Sequence, residues 1–218
     1  MFTIKICGIT TVEDARMVAE AGADAIGLNF YPASPRYVSP AMARAIVDAL
    51  PAGIVKVGLL VDVDAATACE RFDDLGLDLL QLHGDEPPAL LGALGGRPAM
   101  KAFRLGPNGL APVVQYLQAC RQLGCLPRFV LLDSFAPGVY GGTGKPTDWS
   151  AAAQYRSDST NPPLVLAGGL SPQNVAAAIR ATGARAVDVA SGVESAPGRK
   201  DPAAVAALVR AARDAFAA

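Results

Sequence analysis

Short apolar runs alternate with longer amphipathic stretches along this chain, and the alternation continues from one end to the other. The runs at 3–8, 24–30, 54–61, 78–82, 99–103, 128–133, 163–167 and 186–190 are rich in leucine or β-branched residues and read as strands. Apolar positions recur at helical spacing over 11–22, 40–50, 65–75, 87–94, 111–123, 148–155, 172–182 and 201–216. Ser39-Pro40 and Ser171-Pro172 fit an N-cap followed by proline in the first turn, while Gly22, Gly124 and Gly183 fit C-terminal caps.

Strand runs such as 54–61 are apolar on nearly every position, which suits parallel strands covered on both faces. Strand followed by helix, eight times over, predicts an α/β protein of the (β/α)8 TIM-barrel type, a single compact domain spanning 1–218. An open doubly wound sheet has the same local pattern and is the alternative. With 218 residues the barrel is small beside the ~250 typical of the fold, so few decorations are expected. The longer interruptions at 31–39, 134–147 and 191–200 each follow a strand, which in a barrel is the catalytic side.

Composition narrows the partners. A 51% hydrophobic chain with 19 Lys plus Arg against 20 Asp plus Glu has one core's worth of apolar material and no basic stripe for nucleic acid or an anionic membrane. A small molecule is the expected partner. The N-terminus lacks the basic start and long apolar stretch of a secretion signal, and no apolar run reaches ~18 residues, so a cytoplasmic place is expected. Four cysteines without a CxxC pair, and a single histidine, argue against a disulfide framework and against Cys/His zinc binding.

The candidate chemistry gathers at strand ends. Asp133 closes the sixth run, Val130-Leu131-Leu132-Asp133-Ser134, and a glycine-rich loop through Gly141, Gly142 and Gly144 follows; the glycines and Pro137 make 136–146 a candidate lid. Cys7 ends the first run, with Gly8 allowing close backbone approach, although a free cysteine is also an ordinary small buried hydrophobe. Arg36 lies in a loop stiffened by Pro32 and Pro35 and is placed to meet a carboxylate, the plain alternative being a surface charge. His83, just past the fourth run, either contacts substrate or caps the next helix. Gly168-Gly169 after the seventh run and Ser191-Gly192 after the eighth offer backbone N–H groups where barrels often hold phosphate. No Walker-type phosphate loop is present, since Gly141-Gly142-Thr143-Gly144-Lys145-Pro146 has neither its spacing nor its hydroxyl.

Taken together, Lys5-Ile6-Cys7-Gly8-Ile9, Gly27-Leu28-Asn29-Phe30 with Ser34-Pro35-Arg36, Gln81-Leu82-His83-Gly84, Leu132-Asp133-Ser134 with Gly141-Gly142-Thr143-Gly144, Leu166 to Leu170, and Val187 to Glu194 resemble the phosphoribosylanthranilate isomerases of tryptophan biosynthesis. The resemblance runs the length of the chain. It implies a cofactor-free, metal-free Amadori rearrangement of N-(5-phosphoribosyl)anthranilate, a phosphorylated aminosugar, to 1-(2-carboxyphenylamino)-1-deoxyribulose 5-phosphate. It also implies a monomer or homodimer. Carried over by position, Cys7 is the general base, Asp133 the general acid, and Arg36 the binder of the anthranilate carboxylate. His83 and Asp188 are expected to contact substrate, with Gly168, Gly169, Ser191 and Gly192 at the phosphate. A free thiol titrates at ~8.5 and a free aspartate at ~3.9, so both groups need help from their surroundings. Lys5 or a helix terminus is expected to lower the Cys7 pKa, and an apolar mouth to raise that of Asp133. A related sugar-phosphate isomerase, either the histidine-pathway Amadori enzyme or a dual-substrate version, is the runner-up; those enzymes resemble a duplicated half-barrel with aspartate in place of Cys7. A barrel that binds phosphate ligands without turnover is a third reading.

Overall fold

The computed structural model of the chain describes residues 2–134, 149–155 and 160–218. The glycine-rich loop around Gly141, Gly142 and Gly144 and the candidate lid at 136–146 lie outside the described residues.

Eight parallel strands pair in sequence order and close on themselves, which excludes the open sheet. They are β1 (Ile4–Cys7), β2 (Ala25–Asn29), β3 (Val55–Leu60), β4 (Leu79–Leu82), β5 (Ala99–Leu105), β6 (Phe129–Ser134), β7 (Leu164–Leu166) and β8 (Ala186–Val189). Closure is between first and last, with Lys5 opposite Asp188 and Ile6 opposite Val189. The helices are α1 (Val12–Glu20), α2 (Pro40–Asp48), α3 (Ala65–Leu75), α4 (Pro88–Ala93), α5 (Ala111–Leu123), α6 (Trp149–Tyr155), α7 (Val175–Thr182) and α8 (Pro202–Ala217). No described helix is long and apolar enough to cross a membrane.

Strand alternation sorts the buried residues into two populations. Ile4, Ile6, Ile26, Leu28, Val130 and Leu132 pack outward with helix residues such as Val18, Ile46 and Leu208. Phe2, Val57, Leu79, Met100, Phe129, Leu131 and Val165 form a second cluster, which plugs the barrel interior. Above the plug the inward positions turn polar: Lys5, Gln81, Asp133 and Asp188 are all buried. Burial without partners is costly for such groups, so this layer must be internally paired, and it forms the floor of the mouth.

Local signals account for most helix ends. Thr11, Ser39, Asp64 and Asp201 accept the N–H three residues on, and Pro40 and Pro202 begin their helices. Gly76, Gly124 and Gly183 end theirs with positive φ. One expectation fails: Ser171-Pro172 does not start α7. The Asn174 side chain instead accepts from the Ser171 N–H at 2.8 Å and donates to the Gly169 carbonyl at 2.9 Å, folding 169–174 into a turn that delays the helix to Val175. The 191–200 segment is also more ordered than a plain loop. A short 3-10 turn, Ser191–Val193, leads into the antiparallel hairpin β9 (Glu194–Ala196) and β10 (Arg199–Lys200).

Candidate active site

Cys7 is the last residue of β1 and faces inward with Lys5, two positions earlier. Lys5 is fully buried, and its Nζ donates to Asp188 Oδ1 at 2.8 Å. Sulfur and ammonium come together over Gly27: a methyl there would lie 2.7 Å from Cys7 Sγ and 2.9 Å from Lys5 Nζ. Only glycine leaves that space open. Burial pushes the Cys7 thiol above its ordinary pKa, Lys5 and Lys200 oppose this, and Asp188 adds to it. Lys5 therefore acts in the expected direction, but desolvation outweighs it and the net shift is upward.

Asp133 enters from β6 and is buried. Its neighbour is His83, whose Nε2 lies 3.4 Å from Asp133 Oδ2. Gln81 Nε2 is 2.9 Å from His83 Nδ1; in that arrangement Nδ1 accepts and the ring proton sits on Nε2, facing the carboxyl. The histidine thus belongs to the acid side of the mouth. It does not cap α4, which starts after Pro87 without a side-chain cap. Among the described residues, Gln81 Oε1 has no hydrogen-bond partner.

Arg36 is not a surface charge, being 11% exposed. Besides its two prolines, both exposed, its loop is held by Asn29 at the end of β2. The Asn29 amide accepts from the Tyr31 N–H at 2.9 Å and donates to Ser34 Oγ at 3.0 Å, and that hydroxyl accepts from the Arg36 N–H at 3.1 Å. The Arg36 chain then crosses Gly8 so closely that a Cβ there would strike its Cδ. Its Nε and Nη2 donate side-on to the two oxygens of Glu194 at 2.8 and 2.7 Å. Glu194 also accepts from Lys200 Nζ at 2.7 Å, and Lys200 reaches the carbonyls of Cys7 at 2.6 Å and Ala190 at 3.3 Å. Burial raises the Glu194 pKa but Arg36 and Lys200 more than offset it, so its carboxyl is held below the ordinary value. Sequence reading missed Lys200 and gave Glu194 no role, because both sit in a polar, glycine-containing stretch that looks like exposed loop.

On the opposite rim Gly168 and Gly169 take positive φ values of 84° and 63° just past β7. Gly192 presses against the Leu170 carbonyl, so that no side chain fits between the two turns. The turns after β7 and β8 are therefore one backbone-lined wall rather than two separate loops. Cys7, Asp133, Arg36, His83, Asp188, Gly168, Gly169, Ser191 and Gly192, nine residues from five strand ends and the loop after β2, all line one cleft with about 560 Å³ of empty space. Among the described residues no group of three or more His, Cys, Asp or Glu is placed to hold a metal ion.

Residues 4–211 match the family described as N-(5'phosphoribosyl)anthranilate (PRA) isomerase. An N-(5'-phosphoribosyl)anthranilate isomerase of Geobacter sp. (strain M21) is 45% identical over 214 residues, 98% of each chain. That of Azotobacter vinelandii is 47% identical over 211 residues, 97% of each chain. Among solved structures, the phosphoribosyl anthranilate isomerase of Thermotoga maritima superposes with a TM-score of 0.85 at 36% identity, over 98% of this chain and 100% of that one. A crystal structure of such an isomerase in complex with reduced 1-(o-carboxyphenylamino)-1-deoxyribulose 5-phosphate has a TM-score of 0.83 at 36% identity, again covering 98% and 100%. The match runs through every strand end that contributes to the cleft, and the chain belongs to the N-(5'-phosphoribosyl)anthranilate isomerase family.

Proposed function

We propose that this chain converts N-(5-phosphoribosyl)anthranilate to 1-(2-carboxyphenylamino)-1-deoxyribulose 5-phosphate, with Cys7 as general base and Asp133 as general acid. As an isomerase of its family it performs an aldose–ketose isomerisation in tryptophan biosynthesis. The reaction is internally balanced, because C2 is oxidised while C1 is reduced within one substrate. Residues that move protons are sufficient for it.

In the first step, protonated Asp133 gives its proton to the ribose ring oxygen, and the C1–O bond breaks to leave a protonated Schiff base. The Cys7 thiolate then removes the C2 proton, and the electron pair moves toward nitrogen to form an enolamine. Tautomerisation to the ketone closes the sequence, with a proton added at C1 and one lost from the C2 hydroxyl. The observation that carries this reading is that Cys7 and Asp133 enter one cleft from β1 and β6, well-separated strands of the closed barrel. Acid and base can thus address opposite sides of a single sugar.

The remaining groups fit the rest of the substrate. The turns at Gly168-Gly169 and Ser191-Gly192 suit the phosphate, offering backbone N–H groups beside the start of a 3-10 turn. Arg36 suits the aryl carboxylate through the guanidinium edge that Glu194 leaves open. His83 orients the acid, and Asp188, whose Oδ1 is taken by Lys5, offers its other oxygen to a sugar hydroxyl. The partner is this small phosphorylated aminosugar, handled by a cytoplasmic monomer or homodimer.

Purified protein mixed with phosphoribosylanthranilate, without metal or nucleotide, should extinguish the anthranilate-type fluorescence. Cys7→Ser and Asp133→Asn should each reduce kcat by about 10²-fold or more, the scale expected for one general acid or base. Near-normal turnover in either variant would eliminate the pair.

A further inference from the structure

We propose that Glu194 is the positioning residue that fixes Arg36 for the substrate's aryl carboxylate and, through Lys200, ties that arm to the strand end carrying Cys7. The inference rests on the assignment of Arg36 above and extends it to a residue that touches only protein.

Glu194 follows directly on the turn that contains Ser191 and Gly192, at the start of β9. Its two oxygens take the Nε/Nη2 edge of Arg36 at 2.8 and 2.7 Å. A guanidinium held by that edge keeps Nη1 and the outer Nη2 hydrogen for a second planar partner, and a carboxylate is the group whose two oxygens match that spacing. On the other side, the Arg36 chain rests against Gly8, the residue next to the base, which closes that direction to it. The arm is pinned at both its stem and its head, before any ligand arrives.

Charge points the same way. Arg36 and Lys200 share the single carboxylate of Glu194, which leaves the cluster one positive charge in excess while Cys7 is a neutral thiol. The Asp14 carboxylate is close by, but it accepts the backbone N–H of Lys200 at 3.1 Å rather than its ammonium. An anion on the open edge of Arg36 would complete the balance. Lys200 spreads the same clamp to the catalytic strand and the phosphate wall, through the Cys7 carbonyl at 2.6 Å and the Ala190 carbonyl at 3.3 Å. Glu194 thus anchors the carboxylate arm to a lysine that the strand end and the phosphate turn hold through their own backbone.

The test measures binding of two probes to the full chain. One is reduced 1-(o-carboxyphenylamino)-1-deoxyribulose 5-phosphate; the other is its phenyl counterpart without the carboxylate. Glu194→Gln should weaken the first roughly tenfold or more, the scale of a lost hydrogen bond to a charged group, and leave the second unchanged. In turnover the same variant should raise KM more than it lowers kcat. Arg36→Met should show the same selectivity, and the double variant should bind the carboxylate probe no worse than Arg36→Met alone. Should Glu194→Gln fail to fold, Glu194→Asp, with the charge kept but the reach shortened, is expected to show the same selectivity. Equal weakening of both probes, or no weakening by the Glu194 variants while Arg36→Met remains selective, overturns the role of Glu194 alone. An Arg36→Met variant that binds both probes like the parent overturns the Arg36 assignment and this inference with it.

Discussion

Lys5 and Asp188 form an ion pair inside the barrel, Nζ to Oδ1 2.8 Å, in which the ammonium also lies against the sulfur of Cys7. Burial alone would lower the Lys5 pKa, but Asp188 and then Cys7 hold it above the ordinary value, so Lys5 stays charged beside the base. A fixed cation there favours the thiolate, and its removal leaves Lys200 alone to oppose burial and the Asp188 charge, both of which raise the thiol pKa. Lys5→Met should therefore move the rising limb of the kcat/KM–pH profile to higher pH, and activity near neutrality should fall about tenfold for every pH unit the limb moves. It should also destabilise the chain by about 3–5 kcal/mol, because Asp188 is left buried and unpaired. Adding Asp188→Asn should recover much of the stability but not the parent's limb. A limb that stays in place in both variants sinks the electrostatic role of Lys5.

Gly27 offers a steric test of the same contact. A methyl at this position falls 2.7 Å from Cys7 Sγ, 2.9 Å from Lys5 Nζ and 3.0 Å from the Cys7 Cα, and the last is backbone that cannot rotate aside. Gly27→Ala should cost about 1–3 kcal/mol of stability, as overpacking does, and should lower kcat through displacement of the base. Urea unfolding and steady-state rates measured together check both halves. A variant with wild-type stability and kcat would mean that the strand relaxes to admit the methyl and that the spacing is not critical.

Far from the cleft, Asp24 joins the start of β1 to the C-terminal helix. Its carboxylate accepts from the Thr3 and Ile4 N–H groups at 2.8 and 2.9 Å, from Thr3 Oγ1 at 2.7 Å, and from Arg213. Burial raises its pKa, but these partners, Arg213 first, outweigh burial and hold it below the ordinary carboxylate value. A depressed folded-state pKa means stability that is present above the unfolded value, ~3.9, and is lost as the pH falls through the folded one. Asp24→Asn should cost about 1–2 kcal/mol at pH 7, a modest figure because the pair with Arg213 reaches solvent. The gap between variant and parent should begin to narrow below about pH 4 and close as the pH falls through the lower folded-state value. Chemical unfolding at both pH values measures it, and a gap that does not change with pH would remove the carboxylate charge from the explanation.

Much of the fold was legible because its signals are local. Alternating strand and helix periodicity depends on which faces of each element are buried, and Ser39-Pro40 or Gly124 act on backbone within a turn of themselves. Asn174 was equally local, bonded to Ser171 three residues away, and a polar residue just past a Gly-Gly turn could have warned that the helix starts late. The proline-stiffened reading of the Arg36 loop was incomplete for a similar reason: Asn29, at the strand end, does much of the holding.

The sequence by itself determined the alternating order of strands and helices, the strand ends that carry Cys7 and Asp133, and the two glycine turns, since each follows from periodicity and from residue chemistry at fixed offsets; the closing of β8 on β1 excluded the open sheet that shares that order. Only the tertiary structure decided which charges meet. Lys5 finds Asp188 across 183 residues and Arg36 finds Glu194 across 158, because closing β8 against β1 and folding the β9–β10 hairpin back over that seam bring them together. Without that closure, Lys200 and Glu194 look like ordinary solvated charges, and Lys5 shows its neighbour Cys7 but not its partner Asp188. Buried at the barrel mouth they are cut off from bulk water, and each must be answered by a partner that no local pattern names.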